Sequence, residues 1–205
     1  MTITFNPLPT TSFNGSFTAA TIGHVAGSLW PNASARNFLR TGFVAASVTG
    51  LIYGGVGVTV TTQAANAPLL GPQLTLATAI GNLTGFAVWD QSAAGIQTPQ
   101  STVPLFSPGM GISFVEFGLG QAIALPMSAA NAANLLGVGD NTQLTWDFTN
   151  QVLLPFTSGP IPGPSTLSAK ILDIQIGNSW VVTPNEPAAG QAEWNKAGAT
   201  VVIQI

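Results

Sequence analysis

Apolar residues recur along this chain mostly at a period of two, in short runs cut by glycine and proline. In "VGVTVTTQ", Val56, Val58 and Val60 fall on one side and Gly57, Thr59 and Thr61 on the other, the alternation of a half-buried strand. "GISFVEFG" alternates Ile112, Phe114 and Glu116 against Ser113, Val115 and Phe117, and Gly118 and Gly120 allow a bend behind it. "LTWDFTNQVLLP" predicts a hairpin turning at Thr149-Asn150, with Trp146 opposite Leu153 and Pro155 ending the ladder. "KILDIQIGNSWVVTP" predicts a second hairpin, with Gly177-Asn178 in a type II′ turn and Ile174 opposite Val181. The closing "ATVVIQI" puts Val201, Ile203 and Ile205 on one face of a strand expected to lie inside a sheet.

The 23 glycines and 15 prolines leave little room for long helices. One short helix is expected at "SAANAANLLG", with Ser128 as N-cap and Gly137 as C-cap. The expected fold is therefore all-β: an antiparallel β-sandwich or barrel with an extended N-terminal arm and long irregular loops. Residues 1–20, polar with Phe5, Phe13 and Phe17 spaced through them, form the arm; residues 21–205 form a single β-rich domain. The Pro/Gly run 158–165, "SGPIPGPS", is a possible sub-boundary within it.

Composition changes what the surface of such a fold can be for. Charged residues make up 5% of the chain, against roughly 25% in an average soluble domain. Thr, Ser, Asn, Gln, Gly and Ala take their place, and neutral polar groups lose less than charges when a partner covers them. Protein interfaces are depleted of Lys, Glu and Asp in the same way, so much of this surface is expected to be covered in an assembly. Four basic residues and a net charge of −3 leave no footprint for nucleic acid. The uncharged stretch from Phe43 to Val60 is interrupted by Ser47, Thr49, Thr59 and glycines and alternates at strand period, which argues against a membrane span. The N-terminus lacks the basic and continuous apolar regions of a signal peptide.

Catalytic chemistry finds little to build on. His24 is the only histidine and no G-x-S-x-G elbow occurs, so His24 reads as a partly buried residue of a β segment. The seven carboxylates, Asp90, Glu116, Asp140, Asp147, Asp173, Glu186 and Glu193, show no pair that stands out for acid–base work, and read as strand and turn charges. With no cysteine and one histidine, zinc has no ligand set, and "GVGDNTQ" lacks the glutamate that would complete a calcium loop. The glycine pairs of "GGVGVTV" and "GMGISF" lack the third glycine and helix of a phosphate loop. No enzyme activity, cofactor or metal is expected.

One stretch invites a different reading. "VWDQSAAGIQTPQSTVPLFSPG" carries Asp90 and several hydroxyls, yet Pro99, Pro104 and Pro108 exclude an ordinary central strand. It reads as a stiff arm lying against another subunit, whose deletion over Thr98 to Ser107 would weaken assembly and spare the fold.

The stretch from Gly85 to Met127, "GFAVWDQSAAGIQTPQSTVPLFSPGMGISFVEFGLGQAIALPM", together with "LTWDFTNQVLLP", resembles the decoration, or structural cement, proteins of tailed-bacteriophage capsids. The likeness covers Gly85 to Pro155 and rests on the order of an aromatic-tipped strand, a long loop, a Gly-bounded strand and a later hairpin. It implies a non-enzymatic structural protein of the virion, on the capsid exterior, with the major capsid protein and copies of itself (dimer or trimer) as partners. Phe5, Phe13, Trp89, Thr98, Pro99, Pro104, Phe106 and Pro108 are then the candidate interface contacts. Multivalent attachment and edge pairing by extended arms would supply the affinity. The alternative is a receptor-binding spike or adhesin head of a phage or cell surface, marked by an aromatic-lined polar pocket on an exposed tip.

Overall fold

The computed structural model describes residues 24–29, 39–62, 71–89, 103–156, 166–184 and 192–205. The expected arm (residues 1–20) and the Pro/Gly run 158–165 lie outside them. The chain is β-rich as its periodicity predicts, and it forms two sheets. Strands β1 (Arg40–Val44), β2 (Gly57–Thr61), β3 (Gln73–Leu76), β4 (Gly85–Val88) and β5 (Gly111–Glu116) close a barrel in the order β1-β3-β2-β4-β5. Strands β6 (Ala122–Met127), β7 (Leu144–Asp147), β8 (Val152–Pro155), β9 (Lys170–Pro184) and β10 (Ala192–Gln204) make an open sheet in the order β7-β8-β6-β10-β9. Pairing is not uniformly antiparallel: β1 runs parallel to β3, and β6 parallel to β8. The second case follows from the crossover through helix α1 (Ala129–Asn134) and β7, which returns the chain to its original direction.

The alternation read from the sequence decides which core each side chain enters. Val56 and Val58 are fully buried in the barrel interior with Val60 packed against them. Strand β5 sends Ile112 and Phe114 into that interior and Val115 to the other face, where Phe117 joins it against a second core shared with the open sheet. Strand β4 does the same, with Phe86 and Val88 on one side and Ala87 on the other. Both strands thus send apolar side chains into both cores.

The hairpin β7–β8 has the expected register, Trp146 opposite Leu153, through a four-residue connection. Strand β10 lies between β6 and β9, with Val201, Ile203 and Ile205 all in the shared core. Helix α1 is capped by the Ser128 hydroxyl, which accepts from the Asn131 N–H; its C-cap is Leu135, and Gly137 takes a positive φ of 78° two residues on.

The second predicted hairpin does not form. Lys170 to Pro184 is one strand, pairing along its length with β10, so that Ile174 faces Val201 and Val181 faces Asn195. Gly177, at φ 82°, and Asn178 sit in a bulge between Ile176 (opposite Ala199) and Ser179 (opposite Gly198). A Gly-Asn pair suits a bulge as well as a turn, and a thirteen-residue partner offers both halves a ladder at once. The bulge divides two environments. Ile174 and Ile176 pack on the shared core, whereas Val182 and Trp194, beyond it, pack on the barrel core.

Candidate interaction site

The predicted contact arm is the first surface to place. Phe5, Phe13, Thr98 and Pro99 lie outside the described residues. Trp89 and Phe106 are 2% and 3% exposed, and Pro104 is also buried, so these three fill the chain's own core instead of facing a partner. The rings of Trp89 and Phe106 stack at 6.3 Å, and the Phe106 N–H donates to the Ile52 carbonyl at 2.9 Å. Trp89 is held on its other side by its indole N–H, which donates to the Ala26 carbonyl at 2.7 Å. Gly54 must lack a side chain here, because a Cβ would come within 2.4 Å of the Trp89 ring. Of the four proposed contacts among the described residues, Pro108 is the one the structure leaves exposed. Prolines kept residues 103–109 from joining a ladder, but a segment packed on the barrel core through Val103 and Phe106 satisfies that constraint as well as an external arm. Removing Val103 and Phe106 would therefore open the barrel core, contrary to the expectation that a deletion spares the fold.

His24 is 5% exposed, and its Nε2 lies 2.8 Å from Asp173 Oδ2. It belongs to a short segment, residues 24–29, that bridges to both sheets. Val25 pairs with Trp180 on β9, Leu29 pairs with Ile123 on β6, and the Gly27 carbonyl accepts from the Trp89 N–H. Ser179 is adjacent, so serine, histidine and aspartate do meet. Their connections are not those of a nucleophilic triad. The Ser179 hydroxyl accepts from the main-chain N–H of His24 at 3.2 Å and bonds the Thr200 hydroxyl at 2.8 Å, while the imidazole faces Asp173. Partial burial works against the Asp173 charge, but hydrogen bonds from His24, the Gln175 amide and the Ile174 N–H hold its pKa below the ordinary carboxylate value. The cluster clamps the 24–29 segment onto β9.

Three other carboxylates of the described residues have structural partners, and the simplest is Asp140, which accepts from the neighbouring Asn141 amide at 2.9 Å. Glu116 takes both oxygens to the Arg40 guanidinium at 2.8 Å. Asp147 accepts from the Thr149 and Asn150 N–H groups and the Asn150 amide, which closes the β7–β8 turn; those bonds outweigh its slight burial and lower its pKa. Lys196 lies 4.7 Å from the centre of the Trp180 ring. Among the described residues no group of three or more His, Asp or Glu side chains could hold a metal, and no helix is long and apolar enough to cross a membrane.

One surface was not read from the sequence. A cleft of about 450 Å³ opens at the end of the open sheet, between the Gly118–Gly120 turn, the Asn141–Gln143 turn, the start of β9 at Lys170 and the C-terminal Ile205. The four large apolar residues left exposed among the described residues, Leu119, Leu136, Val138 and Leu172, do not line the cleft but lie within a few positions of its lining segments along the chain. Leu119 lies between Gly118 and Gly120; Leu136 and Val138 precede Asp140; Leu172 follows Lys170 by two positions. A main-chain hydrogen bond from the Ile171 N–H to the Asp140 carbonyl, 2.9 Å, ties the last two segments together. Each of these residues is unremarkable alone, and they come from elements far apart in the chain, so periodicity could not have gathered them.

The geometry thus defines a protein built of a closed five-stranded barrel fused through a shared core to an open five-stranded sheet. Comparison with known protein families, with curated proteins and with solved structures finds no match.

Proposed function

We propose that this chain is a non-enzymatic structural protein of a tailed-phage virion, attached to the outside of the capsid shell as a decoration, or cement, protein. The reading is carried by one observation: charges make up 5% of the chain, and those of the described residues are mostly engaged within it, which leaves a surface poor in charge. Arg40 and Glu116 bind each other, Asp173 holds His24, Asp147 closes a turn and Lys196 lies over Trp180. Asp140 accepts from the Asn141 amide, so among the described residues Lys170 and Glu193 remain as the charges without such a partner. A surface so poor in charge is cheap to desolvate against a shell and ill suited to a free life in solution. The sequence likeness over Gly85 to Pro155 gives the kind of shell, and attachment at several shell subunits would raise the affinity.

The spike or adhesin reading is favoured less. The cleft at the end of the open sheet mixes polar and apolar lining, and none of its lining residues is aromatic, whereas sugar rings are gripped by aromatic faces. Two measurements test the proposal. Purified particles should carry the chain in a ratio to the major capsid protein set by the shell lattice, and the purified chain should bind shells stripped of it and raise their resistance to heat. A handful of copies per particle, confined to one vertex or the tail, would sink the cement reading.

A further inference from the structure

We infer that the apolar-rimmed corner at the end of the open sheet is a two-fold contact with a second copy of this chain. The inference rests on the proposed function only in treating the working form as an oligomer, and it names the surface that makes it one.

Three observations converge on this corner. Leu119, Leu136, Val138 and Leu172 are between 41% and 58% exposed, while the rest of the described large apolar residues are at least partly covered. Exposed apolar groups gathered at one place on an otherwise polar surface mark a contact. The corner also adjoins β9, an edge strand of the open sheet, on which Ile171, Ile174 and Ile176 are only partly buried. Between Leu172 and Ser179 this edge carries no proline or lysine, and its irregularities are the bulges at Leu172 and at Gly177-Asn178.

Charge then selects the occupant. Asp140 and Lys170 are both exposed, and neither joins an ion pair among the described residues. Their segments are joined, because the Asp140 carbonyl accepts from the N–H of Ile171, the residue after Lys170. An anion and a cation on two joined segments that also carry exposed Leu136, Val138 and Leu172 form a self-complementary set. In a two-fold contact each residue meets its opposite on the other copy, so two ion pairs form for a single geometry. A partner of one sign would satisfy one of the two and repel the other. The apolar rim supplies the driving force; the exposed charges add little energy and fix the register.

The experiment is a charge exchange on the full chain, read by sedimentation across a concentration series. The unaltered protein should dimerise. Asp140→Lys gives a copy with two cations at the corner, and Lys170→Asp a copy with two anions; each alone should dimerise at least about tenfold more weakly. Mixed in equal amounts, the two variants should form a heterodimer that restores the original association, since each meets its complement. This rescue also shows that both variants are folded. A monomeric unaltered protein, variants that associate like it, or a mixture that stays monomeric would each overturn the contact. If Leu172→Lys abolishes shell binding by a chain that is monomeric in solution, the corner belongs to the shell protein, which overturns the self-contact and leaves the cement reading standing. A chain that dimerises through the corner yet never binds shells does the reverse.

Discussion

The barrel and the open sheet are built from strands of similar character, but they treat their edges in opposite ways. Closure leaves the barrel no unpaired edge, and its interior collects Trp89, Phe106, Phe114 and Tyr53. Burial raises the Tyr53 phenol pKa to about 12, so this interior is a place for neutral groups. The open sheet ends in β7 on one side and β9 on the other. Its apolar residues thin out toward β9, where isoleucines are half-buried and Leu172 faces solvent. The difference shows where contact with other chains belongs. A closed barrel has little left to offer a partner, whereas an open sheet retains both an edge and an apolar margin.

Substitutions at the two regions should separate them by size of effect. Phe106→Ala removes a ring stacked on Trp89 inside the barrel, and chemical denaturation should show a loss of about 3–5 kcal/mol. A loss near zero would mean that residues 103–109 are not packed on the barrel core. Gln151 holds the two regions together: its Oε1 accepts from the Gly57 N–H of β2 at 3.0 Å and from the Trp146 indole at 3.3 Å. It does so from a positive φ of 54°. Gln151→Ala leaves two buried donors without this acceptor and should cost about 2 kcal/mol in the same measurement.

Acid should loosen the β9 side next. The folded-state pKa of Asp173 lies below its unfolded value, so the unfolded chain takes up the proton first as pH falls. The stabilisation is full above the ordinary carboxylate range, about pH 4, and is lost as pH drops through the folded value. Asp173→Asn should therefore lower stability at neutral pH and flatten its acid dependence, as followed by thermal melts across pH. An unchanged acid profile would show that the His24 clamp contributes nothing. Smallest of all, Leu172→Ala should change the stability of the isolated chain by no more than about 0.5 kcal/mol, because the side chain is already 45% exposed. A larger loss would mean that the β9 margin is core, and the contrast with the barrel would collapse.

Local patterns were sufficient where one segment carried both halves of an interaction. Trp146 and Leu153 are joined by a short turn, so alternation and turn residues specify their pairing. Ser128 caps the helix that follows it, its hydroxyl accepting from the Asn131 N–H three residues on. The alternation of Val56, Val58 and Val60, and of Ile112 and Phe114 against Val115, likewise sorted side chains to faces before any partner was known. Local patterns misled at Gly177-Asn178, where the same two residues serve a turn or a bulge. They misled again at Pro104 and Phe106, because proline excludes a ladder without saying whether the segment lies inside or outside.

The sequence by itself determined that the chain is β-rich, that it is poor in charge, and which side chains share a face. Those properties depend on composition and on a period of two, both visible within a few residues. Only the tertiary structure decided that five strands close while five stay open, that β9 continues past its glycine through a bulge, and that the Asp140 segment is tied to the start of β9. Each of these turns on pairing between residues distant in the chain, where a register is chosen by the whole ladder and core it completes.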